Sequence, residues 1–532
     1  MSLNFTSVRP SGDAIDTDRR RTLKTGMAAL ALGLSPFVPA RALTPEPTPF
    51  SFDALTEEMR ALAGENWREP VRLEGFLGDL EYDDYRLIRF NDAKARWSET
   101  DGPFHLHAFH TGWLFGAPVR LFEVEDGMAR EMIFSTADFE YLNELADRVP
   151  ADAELPGVAG FRLNTPINRP DKYDELVAFL GASYFRALGR GSVYGASARG
   201  IAVDTATARP EEFPHFTRFW LERPKGGGDT ITVYAALDGP SVTGAYRFVI
   251  RPGAETVMDV TARLFMREDV AELGMAPLTS MMLFGDANRS DFDDYRAAVR
   301  DSEALRVVRA DGDVLWRPLN NPAELGGAYL FETSPRAFGL HQRERDPDAY
   351  HDAEAHYERR PSIEVEPLGD WGPGAVRLVE IPTDLEANDN IVAYWVREEP
   401  VRAGDALEYD YRLRWGDLPP ETDGDRAVII GTRAGAGGPS GVPSPDGTRK
   451  FVVDFAGGPL AELPADADIS AEVSISTGEL VSKTLERLET GDSWRLVIDV
   501  SAEEGDVVEL VAHLAGFGRK LSEIWLYQWI NA

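Results

Sequence analysis

Two carboxylates, Glu386 and Asp389, stand three residues apart in the polar segment 381–390, just before an apolar run that contains Tyr394 and Trp395. Two carboxylic acids held close together cannot both ionise freely, so one of them keeps its proton to a higher pH than it would alone. A carboxylic acid that donates a proton beside aromatic side chains is suited to protonating a glycosidic oxygen. The same residues also fit a polar turn before a core strand, and the spacing alone favours that interpretation, because the chain has 89 acidic residues.

Aromatic side chains beside polar residues are the other requirement of a sugar-binding site. The residues of this kind are Tyr184, Trp220, Trp316, Tyr357, Tyr394 and Trp395. Aromatic residues are also common in β-sheet cores, and each of these alone fits core packing better. Asp301, in the sequence Arg300-Asp-Ser302, has nothing in its own surroundings that marks it as catalytic.

Two alternative chemistries find little support. His105, His107 and His110 cluster in one stretch, but a metal site needs three or four ligands and the chain has eight histidines in all, so packing on a sheet is favoured. Ser197 stands in Gly195-Ala-Ser-Ala-Arg199, which lacks the second glycine of a nucleophile elbow. The sequence therefore predicts no metal site, no cofactor and no serine hydrolase.

Composition narrows the class of protein further. A chain of 532 residues with 43% hydrophobic residues is long enough for two to four globular domains. The absence of cysteine excludes disulfides, thiol nucleophiles and cysteine-ligated metals. A net charge of −34 repels phosphate backbones and anionic lipids, which makes nucleic acid and membrane surfaces poor partners, whereas a neutral substrate is compatible with it.

Residues 1–42 read as an export signal. Arg19-Arg-Arg-Thr-Leu-Lys24 has the twin-arginine form, and a weakly apolar run from Met27 to Pro39 and an Ala40-Arg-Ala42 cleavage site follow it. The run is too short to span a bilayer, so we expect export to the periplasm without membrane insertion. A basic tail beside a core helix is the alternative.

The rest of the chain predicts an all-β fold with few helices. Helices are expected at Phe52–Ala63 and Asp171–Leu180, and strands at Thr230–Leu237, Ala245–Ile250 and Thr256–Met266. Short connections between such strands favour antiparallel pairing. A large antiparallel β-sandwich domain with a cleft is therefore predicted over residues 43–396.

The strand pattern pauses at Arg397–Asp405 and then resumes. Strict alternation over Leu407–Trp415 and the later strand candidates, about seven strands in all, predict a separate immunoglobulin-like β-sandwich over residues 402–532. The glycine-rich segment 434–449 follows an apolar run, but turn formers and no helix come after it. It is therefore predicted to be a long mobile loop rather than a phosphate-binding loop.

Several longer blocks resemble the bacterial glucan biosynthesis proteins G and D, which are periplasmic proteins needed to make osmoregulated β-1,2-linked glucans. The blocks run in the same order over essentially the whole chain after the signal: Leu180–Arg186, Tyr194–Gly200, Glu212–Pro214, Ala276–Ser280, Trp316–Pro322, Arg359–Ser362 and Asn388–Trp395. The resemblance implies an N-terminal β-sandwich with a large cleft and a C-terminal immunoglobulin-like domain. It also implies a role for one branch as inverting β-1,2-glucanases, while some relatives transfer the chain to make cyclic glucans.

Carried over residue by residue, the resemblance makes Asp389 the general acid and Asp301 the base end of a proton relay. Glu386 matches an acidic residue of the same cleft, and Tyr357 and Arg360 match sugar-contacting positions. An inverting enzyme needs an acid at the leaving oxygen and a base for water, about 6.5–9.5 Å apart, and a relay through a hydroxyl or second water allows a longer separation. Trp395, Tyr394 and Trp316 are the further predicted sugar-binding residues.

The branch of the family stays open. The twin-arginine signal and the ending Trp525–Gln528 are similar to type D, whereas Asn388-Asp-Asn390 is similar to type G. The expected function is an inverting endo-β-1,2-glucanase acting on a neutral polysaccharide. A transglycosylase, or a non-catalytic scaffold for a membrane glucan synthase, are the alternatives. A homodimer, with segment 434–449 covering a cleft of the neighbouring subunit, also stays open.

Overall fold

A computed structural model describes residues 46–531 apart from 72, 101, 290, 291, 423, 440 and 490. The predicted export signal therefore lies outside the described residues. The helices are α1 (Phe52–Ala63) and α2 (Tyr82–Tyr85), and single 3-10 turns lie at Gly75–Leu77, Asp92–Lys94, Thr136–Asp138, Asn143–Asp147, Pro347–Ala349, Tyr357–Arg359 and Gly458–Glu462.

The strands of the first half are β1 (Thr48–Pro49), β2 (Ile88–Phe90), β3 (His105–Phe109), β4 (Arg120–Glu125), β5 (Met128–Glu131), β6 (Phe139–Tyr141), β7 (Gly160–Arg169), β8 (Lys172–Leu180), β9 (Tyr184–Ala187), β10 (Ser197–Arg199), β11 (Ile201–Val203), β12 (His215–Glu222), β13 (Ile231–Asp238), β14 (Val242–Arg251) and β15 (Thr256–Met266).

Those of the second half are β16 (Leu273–Ser280), β17 (Met282–Phe284), β18 (Val299–Arg300), β19 (Ala304–Val308), β20 (Val314–Pro318), β21 (Gly326–Thr333), β22 (Ala337–His341), β23 (Ser362–Pro367), β24 (Pro373–Glu380), β25 (Ile391–Arg397), β26 (Ala406–Gly416), β27 (Val428–Ala436), β28 (Thr448–Ala456), β29 (Ile469–Ile475), β30 (Glu479–Arg487), β31 (Ser493–Ser501), β32 (Val507–Gly516), β33 (Arg519–Lys520) and β34 (Ile524–Ile530). The prediction of an all-β chain with few helices is confirmed.

Two large sheets form the main body. One runs in the order β1-β5-β4-β12-β13-β14-β15-β26-β23-β22-β19-β20-β34-β32-β29, and the other in the order β21-β24-β25-β16-β10-β9-β8-β7-β3. Neighbouring strands pair antiparallel, apart from the parallel pairs β4–β12 and β20–β34 among the described strands. The two sheets pack face to face, so the alternating side chains of both inner faces form one core.

Phenylalanine rings fill much of that core. Phe179 is buried and stacks at 5.1 Å from Phe161 and 5.3 Å from Phe185, and it meets Phe219 and Phe248 edge-on. Aromatic pairs of this kind add to the free energy gained from burying their area. The rigid core holds strands β8, β9 and β10 in place, and two of these carry residues of the candidate site.

Helix α1 begins and ends at the predicted residues. Ser51 caps its first turn by accepting a hydrogen bond from the backbone N–H of Ala54 at 3.1 Å, and Gly64 follows the last residue. Leu55 and Met59, one turn apart, are buried against Trp220 and other side chains on the outer face of the first large sheet. This prediction is confirmed.

The predicted helix at Asp171–Leu180 is wrong. Residues Lys172–Leu180 form β8, which pairs with β7 through a tight turn near Arg169 and with β9 on its other side. The sheet supplies backbone partners on both edges, and the apolar side chains of Leu176, Val177 and Phe179 are buried in the core. Tertiary pairing thus outweighs the helical spacing of the apolar residues.

The C-terminal region contains a second sandwich. Strands β27-β28-β31-β30 form a separate sheet that packs on the β34-β32-β29 end of the first large sheet, around Phe451, Trp525 and Tyr527. Strand β26, which the sequence placed at the start of this domain, pairs instead with β15 and β23. The first large sheet therefore runs through both predicted domains. Segment 434–449 includes the ends of β27 and β28, so its described turn is shorter than expected.

Candidate functional site

The loop that carries Glu386 and Asp389 joins the antiparallel neighbours β24 and β25. Asn390 fixes its end, because its buried side chain accepts a hydrogen bond from the N–H of Met282 at 2.8 Å and donates to the carbonyls of Met282 and Ile381 at 3.0 Å. Asn321 fixes the middle through a double hydrogen bond with the backbone of Thr383. These amide side chains hold the acidic loop in one place without adding charge to it.

Asp301 lies where strand β18 ends. Its backbone N–H donates to the carbonyl of Met281 at 2.8 Å, and its side chain forms an ion pair with Arg360. The residue is only 4% exposed. Burial raises the pKa of the carboxyl group to about 6, and the nearby charge of Asp389 adds to the rise, while Arg360 and Arg186 oppose it.

Asp389 directly precedes the anchored Asn390 and strand β25. The residue is exposed to water, yet the surrounding protein removes enough hydration to raise the pKa of its carboxyl group. The positive charges of Arg186, Arg199 and Arg360 oppose this rise. Asp389 and Asp301 thus share two arginine neighbours, Arg186 and Arg360, and influence each other's protonation.

Strands β9 and β10 supply the two arginines that the sequence analysis did not single out. Arg186 donates to the Oγ of Ser197 at 2.8 Å, and Arg199 donates to Glu211 at 2.7 Å. Arg199 lies directly across the strand pair from Tyr184, with its guanidinium 4.7 Å from the centre of that ring. Both arginines stand in the blocks 180–186 and 194–200, which was the signal that could have found them. Ser197 itself is buried and serves Arg186.

Glu386 has a different environment from Asp389. One of its oxygens accepts a hydrogen bond from the hydroxyl of Tyr357 and the other from Arg296 at 2.8 Å. Partial burial acts to raise the pKa of Glu386, but these two hydrogen bonds outweigh it and the pKa is lowered. Glu386 is therefore an ionised anchor, and the close pair inferred from its spacing to Asp389 is replaced by the pair Asp301–Asp389.

Tyr357 and Arg360 lie next to each other at the base of the site. Tyr357 is fully buried, so its ring does not face solvent. Its hydroxyl donates a hydrogen bond to Glu386. The guanidinium of Arg360 lies 4.5 Å from the centre of this ring and reaches Asp301. Gly195 makes room for Arg360, because a Cβ at this glycine would stand 2.9 Å from the Cβ of Arg360.

The three other aromatic residues predicted to bind sugar do not face the site. Trp395 is completely buried in the main core beside Trp371, and Trp316 is 3% exposed in the core of the C-terminal sandwich. Tyr394 is 1% exposed and donates its hydroxyl to Glu272. None of these rings offers a face on which a sugar could stack. The polar residues next to these aromatics in the sequence did not reveal which face of each strand packs against other parts of the protein.

The three clustered histidines have separate packing partners. His105 stacks on Tyr173 with ring centres 3.7 Å apart, His107 stacks on Phe90, and His110 bonds to the hydroxyl of Tyr141 at 2.9 Å. Among the described residues, no group of three or more histidine, aspartate or glutamate side chains is arranged to hold a metal ion. Within the same residues no helix is long and apolar enough to cross a membrane.

Fold and site together define an all-β protein in which a buried carboxyl group, that of Asp301, and an exposed one, that of Asp389, share arginine neighbours. Comparison with known proteins gives the family. Residues 50–529 match the family described as "Periplasmic glucan biosynthesis protein, MdoG". The chain belongs to this family of periplasmic glucan biosynthesis proteins, which confirms the resemblance seen in the sequence.

Individual relatives agree over nearly their full length. The chain is 59% identical to glucans biosynthesis protein G of Cereibacter sphaeroides, over 98% of this chain and 99% of that protein. It is 40% identical to the probable glucans biosynthesis protein D of Shewanella oneidensis, over 98% and 97%. Identity to protein G of Rhodopseudomonas palustris is 42%, over 96% and 99%. The solved structure of a polysaccharide lyase aligns with 70% of this chain over 44% of the lyase chain, with 10% identity and a TM-score of 0.21. This likeness supports no inference.

Proposed function

We propose that the protein is an inverting endo-β-1,2-glucanase that trims periplasmic glucans, with Asp389 as general acid and Asp301 as the final acceptor of the water proton. The single observation that carries this proposal is the Asp301–Asp389 pair: two carboxyl groups with raised pKa values that share Arg186 and Arg360. Membership of a glucan biosynthesis family supplies the class of substrate.

In the proposed step, Asp389 gives its proton to the glycosidic oxygen as the bond from that oxygen to the anomeric carbon breaks. Water attacks the anomeric carbon from the opposite face of the sugar ring, and its proton passes to Asp301. Asp301 is only 4% exposed and bound to Arg360, so a proton would reach it through an intervening sugar hydroxyl or a second water. This is the relay that the sequence analysis expected.

The active form of the pair carries one proton. Two carboxylates that feel each other's charge lose their protons in two steps that belong to the pair. The ion pair between Arg360 and Asp301 stabilises negative charge on Asp301, and the charge of Arg360 acts on Asp389 in the same direction. The proposed mechanism therefore requires the shared proton to stand on Asp389 when the glucan is bound. Burial of Asp301 keeps its basicity higher than that of an ordinary aspartate, which helps it to accept a proton.

The experiment is to incubate the purified full chain with linear β-1,2-glucan and to follow reducing ends, product masses and the anomeric form of the new ends. We expect shorter chains with new reducing ends of inverted configuration, and a loss of about 10²–10⁴-fold in rate for Asp389→Asn. Asp384→Asn is the matched control, because Asp384 is an exposed aspartate of the same loop. Equal turnover by Asp389→Asn and wild type would remove Asp389 from the role of acid.

The same assay separates the alternatives. Products one water lighter than the substrate, without new reducing ends, would show a transglycosylase that forms cyclic glucans. Binding of the glucan without any turnover would show a scaffold for a membrane glucan synthase.

Export through the twin-arginine signal stays a prediction, and its test is the loss of export when Arg19, Arg20 and Arg21 are all replaced by Lys. Assembly into a homodimer also stays a prediction, and its test is the mass of the protein in solution.

A further inference from the structure

One concave surface of the molecule is lined by residues outside the proposed catalytic pair. Residues of the segments 67–70, 73–78, 112–117, 210–217 and 238–240 enclose a groove of about 820 Å³, which we name the Trp113 groove. Its volume is within the range of about 300–1,000 Å³ that is usual for pockets binding small organic ligands. None of the proposed catalytic carboxylates lines it, so the groove has room for sugar units away from the bond that is cleaved.

Trp113 is held in an unusual conformation at the edge of this groove. It lies in a tight turn closed by hydrogen bonds between Gly112 and Phe115 at 2.9 and 3.1 Å, and its φ angle is +53°. Bulky residues rarely adopt this left-handed conformation, which persists only where the surroundings impose it. The rings of Tyr82 and Tyr85, with centres 5.2 and 5.6 Å away, support the indole. The fold thus keeps a strained Trp where Gly or Asn would be relaxed.

The chemistry of the groove fits a neutral carbohydrate. Trp113, Trp67 and Phe213 offer apolar rings, and the side chain of Phe213 is 45% exposed. Glu211, Glu212 and Asp238 offer carboxylate oxygens that accept hydrogen bonds from hydroxyl groups. No Lys or Arg is among the described residues that line the groove, so the lining offers an anionic ligand no lysine or arginine to pair with.

Two contacts of Arg199 link the groove to the candidate site. Glu211 lines the groove and accepts a hydrogen bond from Arg199, the arginine whose charge acts on Asp389. Phe213 also lines the groove, and its ring lies 5.5 Å from the same guanidinium. Arg199 therefore contacts the lining of the groove and also acts on the proposed acid, so the groove lies near the site of the reaction.

We propose that the Trp113 groove binds a stretch of the β-1,2-glucan several sugar units from the bond that is cleaved. The identity of the ligand rests on the proposed function, whereas the preference for a neutral, hydroxyl-rich chain rests on the groove itself. A chain long enough to reach both the groove and Asp389 gains stacking contacts that a short chain cannot make. The groove therefore sets a preference for long glucans.

The test measures binding by calorimetry in the full chain carrying Asp389→Asn, so that the glucan stays intact. Linear β-1,2-glucans of long and short chain length are compared in this parent and in the same chain with Trp113→Ala or Phe213→Ala added. We expect each groove substitution to weaken binding of the long glucan about tenfold and to reduce the ratio of long-chain to short-chain affinity. Phe331→Ala is the matched control, because Phe331 is an exposed aromatic residue on the edge strand β21 and does not line the groove; its affinities should equal those of the parent.

The outcomes separate this inference from the proposed function. Parent-like binding of the long glucan by both folded groove variants would overturn the groove proposal, even if the wild type releases reducing ends as a hydrolase does. Weakened binding in these variants, together with no turnover by the wild type, would support the groove and overturn the hydrolase. If Trp113→Ala fails to fold, Phe213→Ala alone decides, because its exposed ring is not part of the core.

Discussion

Two regions of the molecule each contain an aspartate that is almost inaccessible to solvent, but the pKa values of the two carboxyl groups are shifted in opposite directions. Asp301 in the candidate site is 4% exposed, and Asp454 in the C-terminal sandwich is 5% exposed. The pKa of Asp301 is raised to about 6, whereas that of Asp454 is lowered. Burial alone therefore does not decide the protonation of a carboxyl group in this protein.

The difference lies in the partners and in the depth of enclosure, since Asp301 is surrounded by more protein than Asp454. Burial acts to raise the pKa of Asp454 too, but Arg495 donates to both of its oxygens at 2.7 and 2.8 Å and Arg433 adds a third bond at 2.8 Å. Asp301 has one arginine in direct contact and the charge of Asp389 nearby. In the C-terminal sandwich, two arginines balance the charge of the carboxylate. In the candidate site, two carboxyl groups have raised pKa values, and shifted pKa values of this kind are typical of catalytic sites.

The largest effect is expected for Asp301→Asn. An amide cannot accept the water proton, so kcat should fall by about 10²–10⁴-fold while the far-UV circular dichroism stays that of the wild type. The measurement is the rate at which reducing ends form from linear β-1,2-glucan. A variant that keeps more than about a tenth of the wild-type rate would exclude Asp301 as the base.

A smaller effect, on stability rather than rate, is expected for Asp454→Asn. The substitution removes the charge that pairs with Arg433 and Arg495, both of which are partly exposed, so the free energy of unfolding should fall by about 1–3 kcal/mol. Urea unfolding of the full chain measures this change. If instead the stability stays that of the wild type and turnover collapses, the contrast between the two regions is wrong.

The smallest effect is expected for the stability of Asp389→Asn. The pKa of Asp389 is raised in the folded state above the ordinary value of 3.8, so folded protein binds more protons than unfolded protein between these two values. The wild type therefore loses stability as the pH rises through this window, and the asparagine variant does not. Tm of the variant should exceed that of the wild type at pH 7, and the difference should vanish at about pH 3, below both pKa values.

Local sequence patterns predicted those elements of the fold whose bounds are set by one apolar face or by one capping residue. Helix α1 and strand β15 have the predicted bounds, because a serine cap with one apolar face and a strict alternation are local signals. Strand β8 was missed, since its conformation depends on β7 and β9 at its two edges. Which strands share a sheet, as for β26, is likewise decided by distant residues.

The candidate site divides in the same way. Asp389 and Asp301 are 88 positions apart, and only resemblance to a family joined them before the structure did. Arg186, Arg199 and Arg296 escaped notice because arginines on strands and loops are common and their partners lie far along the chain. Trp316, Tyr394 and Trp395 were misplaced because the face of a strand that a second layer covers is a property of the whole fold.

The most direct test of the central claim is the pH dependence of kcat/KM for linear β-1,2-glucan, which reports the pKa values of the essential acid and base in the free enzyme. We predict a bell-shaped profile with one limb near pH 6, where the Asp301–Asp389 pair gains or loses a proton. The Asp454→Asn chain should give the same profile. A kcat/KM that stays constant from about pH 5 to about pH 8 would contradict the proposal that this pair moves the protons of the reaction.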